Sequence, residues 1–466
     1  MARLCESVII WIMSKENVSK INKEYLFEEM PIAKAIAKLS VPTVMGCLVM
    51  IIYNLADTLF VGMLDDPIQT AAVTLGATLL LAFNAVSNLF GVGASSLMSR
   101  ALGIKDYNTV RQTAAFGFYC ALVMSIIYSA VVGIFNAPIM KILGATAENA
   151  EVTSQYVFWT VVCGAAPAII NVVMGNLVRA EGAALHASIG TMSGCVLNII
   201  LDPIFILPEG LNMGASGAGL ATFISNCVAC LYFFIYLAVK HNNTYVSIRL
   251  SDFKPTRIIA GQVFSVGIPA SIQNLLNVTG MAVLNNLMAV YGSAAVAAIG
   301  IAHKTAMIPM YMSMGISQGV MPLVGYNFSS GNRKRMNDTI KGTIKVSMTI
   351  MIITIVCFYI GAGQITSMFM KTPEIVEYGT KFMRAQCLAQ PFVAFDFIGV
   401  AVYQACGKGK ISLVFAIFRK VVLEIPALLV LDKLFPMYGL AYAPLVSEFV
   451  LAIAAGVCLR SIMKSK

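Results

Sequence analysis

The chain has 466 residues and a formal net charge of +10, yet only 12% of its residues are charged and 58% are hydrophobic. A soluble protein carries about 25% charged residues, so this chain has too little polar side chain to cover itself in water. It reads as a polytopic membrane protein, which excludes a string of soluble domains and leaves the origin of the positive charge to be explained.

In chain order, residues 1–34 hold Arg3, Lys15, Lys20, Lys23 and Lys34 around a short apolar piece, VIIWIM. That piece is shorter than a typical signal core and no small-residue cleavage site follows it, so this stretch is expected to be a cytoplasmic N-terminal segment. Crossing the hydrocarbon core takes about 20 apolar residues. Twelve segments meet that need: 35–63, 70–99, 112–136, 152–178, 186–207, 214–240, 258–290, 294–326, 338–360, 376–405, 411–432 and 437–460. Several are longer than the minimum, which implies tilt or extension beyond the bilayer. The expected fold is all-α: a six-helix lobe over 35–240, a cytoplasmic linker over 241–257, a second six-helix lobe over 258–460 and a cytoplasmic tail, 461–466.

The connections, assigned alternately to two sides, are unequal. One side gathers Arg100, Lys105, Arg111, Arg179, Lys240, Arg249, Lys254, Arg257, Arg333, Lys334, Arg335, Lys408, Lys410, Arg419, Lys420, Arg460, Lys464 and Lys466. The other holds Lys141, Lys371, Lys381, Arg384 and Lys433. Short loops rich in Lys and Arg stay in the cytoplasm, so both termini are expected there, in a bacterial inner membrane. The net charge then reports topology, and nucleic acid is not expected as a partner. Most of the eleven Cys lie in apolar segments without metal-type spacing, and read as small buried hydrophobes.

The two halves resemble each other. Pro42 in LSVPTVMG lines up with Pro269 in FSVGIPASIQ, and the stretch 71–103 lines up with 294–331. CVLNIILDPIFIL (195–207) then lines up with RKVVLEIPALLVL, placing Glu424 opposite Asn198. A repeat of six spans re-enters the membrane in the same orientation, so the lobes should be related by a pseudo-two-fold axis along the membrane normal, an arrangement found in secondary transporters.

Charged residues inside the spans ask for a function. Asp202 in the run 195–207 costs at least ~2.5 kcal/mol to place at mid-bilayer. Asn198 lies four residues before it, on the same face of a helix. In the second half, His303, Lys304, Asp396, Glu424 and Glu448 all fall within spans. Intramembrane charges pair or face a water-filled cavity, so Lys304 is expected either to pair with Asp396 or Glu424 or to meet substrate.

The elements NIILDPIFI, GASGAGLAT, YNLADTLFVG and AHKTAMIPMYMSMGISQGVMPLVGYNFSSGNRKR, spread over residues 35–460, resemble the multidrug and toxic compound extrusion (MATE) family, in its DinF-like bacterial branch. The resemblance implies a two-lobed exporter of amphipathic, mostly cationic compounds, monomeric in the lipid bilayer and driven by inward flow of Na⁺ or H⁺. It implies no cofactor beyond the coupling ion and no enzymatic step. It also implies that Asp57, Asn176, Asn198, Asp202 and Thr222 form a cation site, and that Pro42 bends the first helix. Gln273 stands where another branch of the family carries a seventh-helix acid, so a carboxylate cation site is not expected there.

Two acids with amides and a hydroxyl offer the oxygen ligands that hard cations choose, and the same acids suit a proton. Either cation offsets the cost of burying them. The 27 Met and 17 Tyr would give a cavity wall pliable enough for varied substrates. The alternative function is a lipid-linked oligosaccharide flippase of the same superfamily, which needs a cationic cavity where the spans offer Lys304 as the one clear cation. A prenyl transferase would need paired aspartate clusters, and Asp65–Asp66 stands alone. The polar groups of both lobes argue against a channel, and the lack of a phosphate-binding Gly-rich loop against direct ATP drive.

Overall fold

The computed structural model describes residues 23–464, and the Val278 side chain is not described. Arg3, Lys15, Lys20 and Lys466, with the apolar piece 8–13, lie outside the described residues. Within them the chain is helical and carries no strand.

The helices follow one another with short turns: α1 (Ile32–Gly62), α2 (Pro67–Gly103), α3 (Tyr107–Ile134), α4 (Ala150–Cys163 continued by Ala165–Ala180), α5 (Ala184–Ile206), α6 (Gly214–Val239), α7 (Arg257–Ala289), α8 (Ser293–Ser329), α9 (Arg333–Phe369), α10 (Pro373–Ala405), α11 (Gly409–Ile417 continued to Leu434) and α12 (Tyr438–Lys464). Ten are long and apolar enough to cross a membrane. The two parts of α4, bent by 46° at Gly164, make an eleventh if counted as one span. The twelfth expected span, α11, is present as a helix but carries Arg419, Lys420 and Glu424 in its middle. Wide π turns break α2 at Asn88–Val92, α4 at Phe158–Cys163 and α11 at Phe418–Glu424, and such turns recur at functional sites.

Local chemistry sets the boundaries. Asp66 accepts from the Ile68 amide (2.8 Å) ahead of Pro67 at the start of α2. Asp106 accepts from Thr109 N (3.0 Å) to open α3, Thr256 caps α7 and Asn332 caps α9. Each satisfies a first-turn N–H that the helix cannot pair itself. Asp66, half of the lone aspartate pair, therefore has a structural task.

The halves lock together by exchange. Besides its own-lobe partner α5, α1 packs on α8, while α2 packs on α7 and α8. If α1 corresponds to α7 and α2 to α8, these contacts are equivalent, as two related halves require. The crossings gather at the basic end. A Cβ on Gly267 would overlap the Leu89 carbonyl, one on Gly93 that of Val263 and one on Gly103 that of Tyr326. Gly315 also lies close on Val44, and Gly319 on Leu39 and Ser40, though less tightly. Small residues let helix backbones approach closely in this way. Ser40 Oγ donates to the Ile316 carbonyl (3.3 Å) and Ser271 Oγ to that of Ala85 (2.6 Å), again across the lobes.

A helical turn at 23–28 straddles the same end. Toward the first lobe and the linker, Lys23 pairs with Glu181 (3.0 Å) and donates to the Asn243 carbonyl (2.7 Å), and Glu24 accepts from Tyr107 (3.0 Å). Toward the second, Glu28 accepts from Tyr326 (2.6 Å) and Arg335 donates to the carbonyls of Phe27 and Met30 (2.6 Å each). Glu181 is fully buried, and besides Lys23 it accepts from Tyr236, Thr244 and the Tyr245 amide.

Candidate functional site

Two polar groupings lie inside the bundle. The first is in the N-terminal lobe, toward the end away from the basic face. Asp202 is fully buried in α5 and Asn198 is 1% exposed one turn before it. Oriented to satisfy its neighbours, the Asn198 amide nitrogen donates to Asp202 Oδ2 (2.8 Å) and its oxygen accepts from the Thr222 amide (3.1 Å). Tyr53 of α1 lies beside Thr222. Asp57, half-buried in α1, lies close enough for its charge to act on Asp202, and Tyr156 of α4 feels both. Among the described residues neither acid has a basic partner within salt-bridge distance.

The expected constellation is thus gathered except in two respects. Asn198 holds Asp202 as a hydrogen-bond donor, and its own oxygen is committed to Thr222. Asn176 stands apart. It accepts from Arg179 (3.0 Å), donates to the Val172 carbonyl (3.1 Å) and lies against Gly91. The cause is distance along α4, since twenty residues separate Asn176 from Tyr156, about 30 Å of helix at 1.5 Å per residue. The α4 amide joined to the cluster is Asn171, through Asn226, which donates to the Thr222 carbonyl. Helical spacing had a signal for Tyr53, one turn before Asp57 on the same face. Nothing local in the sequence pointed to Tyr156.

The second grouping surrounds a cavity of about 450 Å³ between the lobes. Its wall is rich in amides and thioethers: Asn84, Asn88, Asn274, Asn277, Gln318 and Gln404 beside Met281, Met307, Met310, Met314 and Met321. Gln273 and Asn176 line it too, whereas Asp57, Asn198, Asp202 and Thr222 do not. At one side Arg419 of α11 pairs with Glu448 (2.6 Å) and Asp396 (3.3 Å), all nearly fully buried, and Lys420 pairs with Glu424 (2.6 Å).

This corrects the expected pairing. Lys304 is exposed on α8 and forms no ion pair among the described residues; Asp396 and Glu424 take their countercharges from α11. Arg419 and Lys420 count with the basic side in the sequence although they fall inside the segment 411–432. The π turn instead carries them in mid-helix, facing the cavity. Arg179, also assigned to the basic side, reaches the cavity as well. Its positive groups are therefore Arg179, Arg419 and Lys420, set against Glu424, Glu448 and, behind them, Asp396. The charges balance, which is not the strongly cationic chamber a flippase for phosphorylated lipid would need. Pro42 lies within an unbroken α1, two residues from both Ser40 and Val44, which meet α8 at the lobe junction.

The sequence model of the MatE family matches the chain twice, over residues 42–204 and 269–430. The chain belongs to the MatE family. The two matches begin at Pro42 and Pro269, the same pair that aligned the halves. Similar proteins include the multidrug export protein MepA of Staphylococcus aureus strain MRSA252, 34% identical over 433 residues, covering 92% of this chain and 94% of that one. MepA of Staphylococcus haemolyticus shares the same identity and coverage. A solved structure described as the outward-facing conformation of a multidrug resistance MATE family transporter of the MOP superfamily matches with a TM-score of 0.89 at 26% identity, covering 95% of this chain and 98% of that one. A MOP superfamily transporter from Pyrococcus furiosus, described by a binding pocket of reverse polarity, matches at 0.87 and 26%, covering 95% and 99%. This MatE protein is accordingly a multi-pass membrane protein.

Proposed function

We propose that this MatE protein is a secondary active multidrug exporter that exchanges Na⁺ or H⁺ for amphipathic organic compounds by alternating access. The observation that carries the reading is a contrast between the lobes. The C-terminal acids Asp396, Glu424 and Glu448 are each ion-paired with Arg419 or Lys420, whereas Asp57 and Asp202, near enough for one charge to act on the other, have no ion pair among the described residues. A mobile cation is what such a pair lacks. Asp57, Asp202, Thr222 and Tyr53 supply its oxygens, and Asn198 holds Asp202 in place. The cavity between the lobes takes the substrate.

With the basic face in the cytoplasm, the tight junction there puts the lobes in an outward-open arrangement. Cation entry removes the repulsion between the two acids and allows α1 to reorganise toward Pro42, where a proline has already removed one backbone bond. The export reading is supported by the names of the MepA relatives, and a change of conformation by structures of a MATE protein described as straight and bent, with TM-scores of 0.87 and 0.84 to this chain. One elementary charge moving down 100 mV contributes ~2.3 kcal/mol, a roughly 50-fold gradient for a neutral substrate at ~1.4 kcal/mol per decade.

The test is efflux from proteoliposomes with a Na⁺ gradient and a pH gradient imposed separately. One of them should drive export of an amphipathic dye in the wild type and neither in Asp202→Asn at equal protein incorporation. Gradient-driven export by Asp202→Asn at the wild-type rate would remove the coupling role.

A further inference from the structure

On the basic face, away from the central cavity, the end of α6, the linker and the start of α3 enclose a second concavity of about 220 Å³. Pockets for drug-sized ligands begin at roughly 300 Å³, so this one suits a smaller group. The linker that walls it is fastened in place. Tyr119 of α3 donates to the Ile248 carbonyl (2.8 Å), Phe253 stacks on Phe116, and Tyr245 stacks on Tyr107 with ring centroids 5.0 Å apart. Leu237 and Val246, both buried, give the pocket an apolar side.

The other side is charged and open. Arg111 of α3 and Arg249 of the linker both line the pocket and both are exposed. Neither has an acidic partner within salt-bridge distance among the described residues. Arg249 donates instead to Nε2 of His241, whose Nδ1 meets the Asn242 side-chain oxygen (2.8 Å). A neutral imidazole satisfies a guanidinium N–H and leaves its charge uncancelled. Asp252, the one acid among the described lining residues, accepts from Ser247 Oγ (2.5 Å). Two guanidiniums and one carboxylate leave a single positive charge. The pocket also adjoins apolar surface. α6 reaches it from the exposed Leu231, Phe234 and Ile235, and Leu250, 71% exposed, directly follows Arg249.

We propose that this pocket holds the headgroup of a singly charged anionic phospholipid such as phosphatidylglycerol, from the leaflet on the basic side, with its acyl chains along α6. Arg111 and Arg249 take the phosphate oxygens, for which a guanidinium fork is suited, and Asp252 accepts from a hydroxyl of the headgroup glycerol. One phosphodiester cancels the one surplus charge. A zwitterionic headgroup leaves that charge in place, and a doubly charged phosphomonoester sets its second charge against Asp252. Basic pockets beside membrane helices recognise anionic headgroups by the same chemistry. This binding is separate from ion coupling and from the substrate cavity, and it is measured without a gradient.

The experiment is equilibrium binding of tail-labelled fluorescent lipids to the purified full-length protein in neutral detergent, read by anisotropy. Phosphatidylglycerol and phosphatidylcholine carry the same acyl chains. The wild type should bind phosphatidylglycerol about tenfold more tightly, a preference that two guanidiniums at a bilayer surface can supply. Arg111→Gln/Arg249→Gln should bring the ratio to about one. Lys410→Gln/Arg460→Gln, which removes the same charge from the basic face of the other lobe, should keep the wild-type ratio. Glycerophosphoglycerol, the same headgroup without chains, should not displace the lipid at equal concentration, and neither should inorganic phosphate. Equal affinities in the wild type would overturn the proposal, and that comparison stands even if the arginine variant fails to fold. So would an unchanged ratio in the arginine variant, or an equal loss in the Lys410/Arg460 variant, which would mean diffuse surface charge. Displacement by either soluble phosphate would make this a free-anion site and refute the lipid assignment.

Discussion

Replacing Arg419 by methionine should destabilise the protein far more than loss of one surface charge would. The guanidinium spans Glu448 at 2.6 Å and Asp396 at 3.3 Å, and the side-chain exposures are 7% for Arg419 and 2% for each acid. Methionine keeps much of the volume but leaves two carboxylates buried without a countercharge. Removing one partner of a buried ion pair costs about 3–5 kcal/mol, whereas replacing the whole group by neutral residues is often harmless. A loss of that size in a chain this long lowers the melting temperature by on the order of 5 °C. The assay is thermal unfolding of purified protein in detergent, comparing Arg419→Met with Arg419→Met/Asp396→Asn/Glu448→Gln. The single variant should melt early and the triple variant should recover most of the loss. The reasoning is refuted if the single variant melts with the wild type, or if the triple variant falls as far as the single one.

Asp57→Asn should reach the membrane normally and lose ion-driven dye export; export at the wild-type rate would make this acid structural. Gly267→Val should hold the lobes apart at the basic end, because its side chain would occupy the space of the Leu89 carbonyl; a cysteine placed at Val44 should then label faster, and an unchanged labelling rate contradicts the steric argument. Glu181→Gln should weaken the 23–28 turn, which this buried carboxylate anchors through Lys23, by about 1–3 kcal/mol; faster limited proteolysis within that turn is the readout, and wild-type resistance would refute the anchoring role. Lys304→Gln should change stability by less than about 0.5 kcal/mol, as for other surface positions; a larger drop in melting temperature would reveal a partner for this exposed amine.

Much of the architecture was legible because it rests on one-dimensional signals. Apolar segment length and the one-sided placement of Lys and Arg outline the spans, and the Pro42–Pro269 correspondence exposes the duplication. Asn198 and Asp202 were readable as a pair because four residues on a helix fix a shared face. Asn176 was not, because whether an α4 residue meets the acids depends on how far along a bent helix it lies. Arg419 and Lys420 were misplaced for a related reason. Two bases inside the segment 411–432 count toward the basic side until the acids of α10 and α12, tens of residues away in sequence, are seen beside them. Lys304 drew attention as an isolated charge in a span, yet its depth in the bundle is set by the rotation of α8, which composition does not report.

Five glycines at the lobe junction bear on how easily it can part. Where helices cross at Gly93, Gly103, Gly267, Gly315 and Gly319, backbone meets backbone or short side chains. Wetting such a crossing hydrates peptide groups and little hydrocarbon, and it is hydrocarbon exposure that costs ~25 cal/mol per Å². A joint of interlocked leucines would grip harder and release reluctantly. This one is firm through close fit alone, a contact that can be made and unmade on every stroke of a rocking machine without a large toll in either direction.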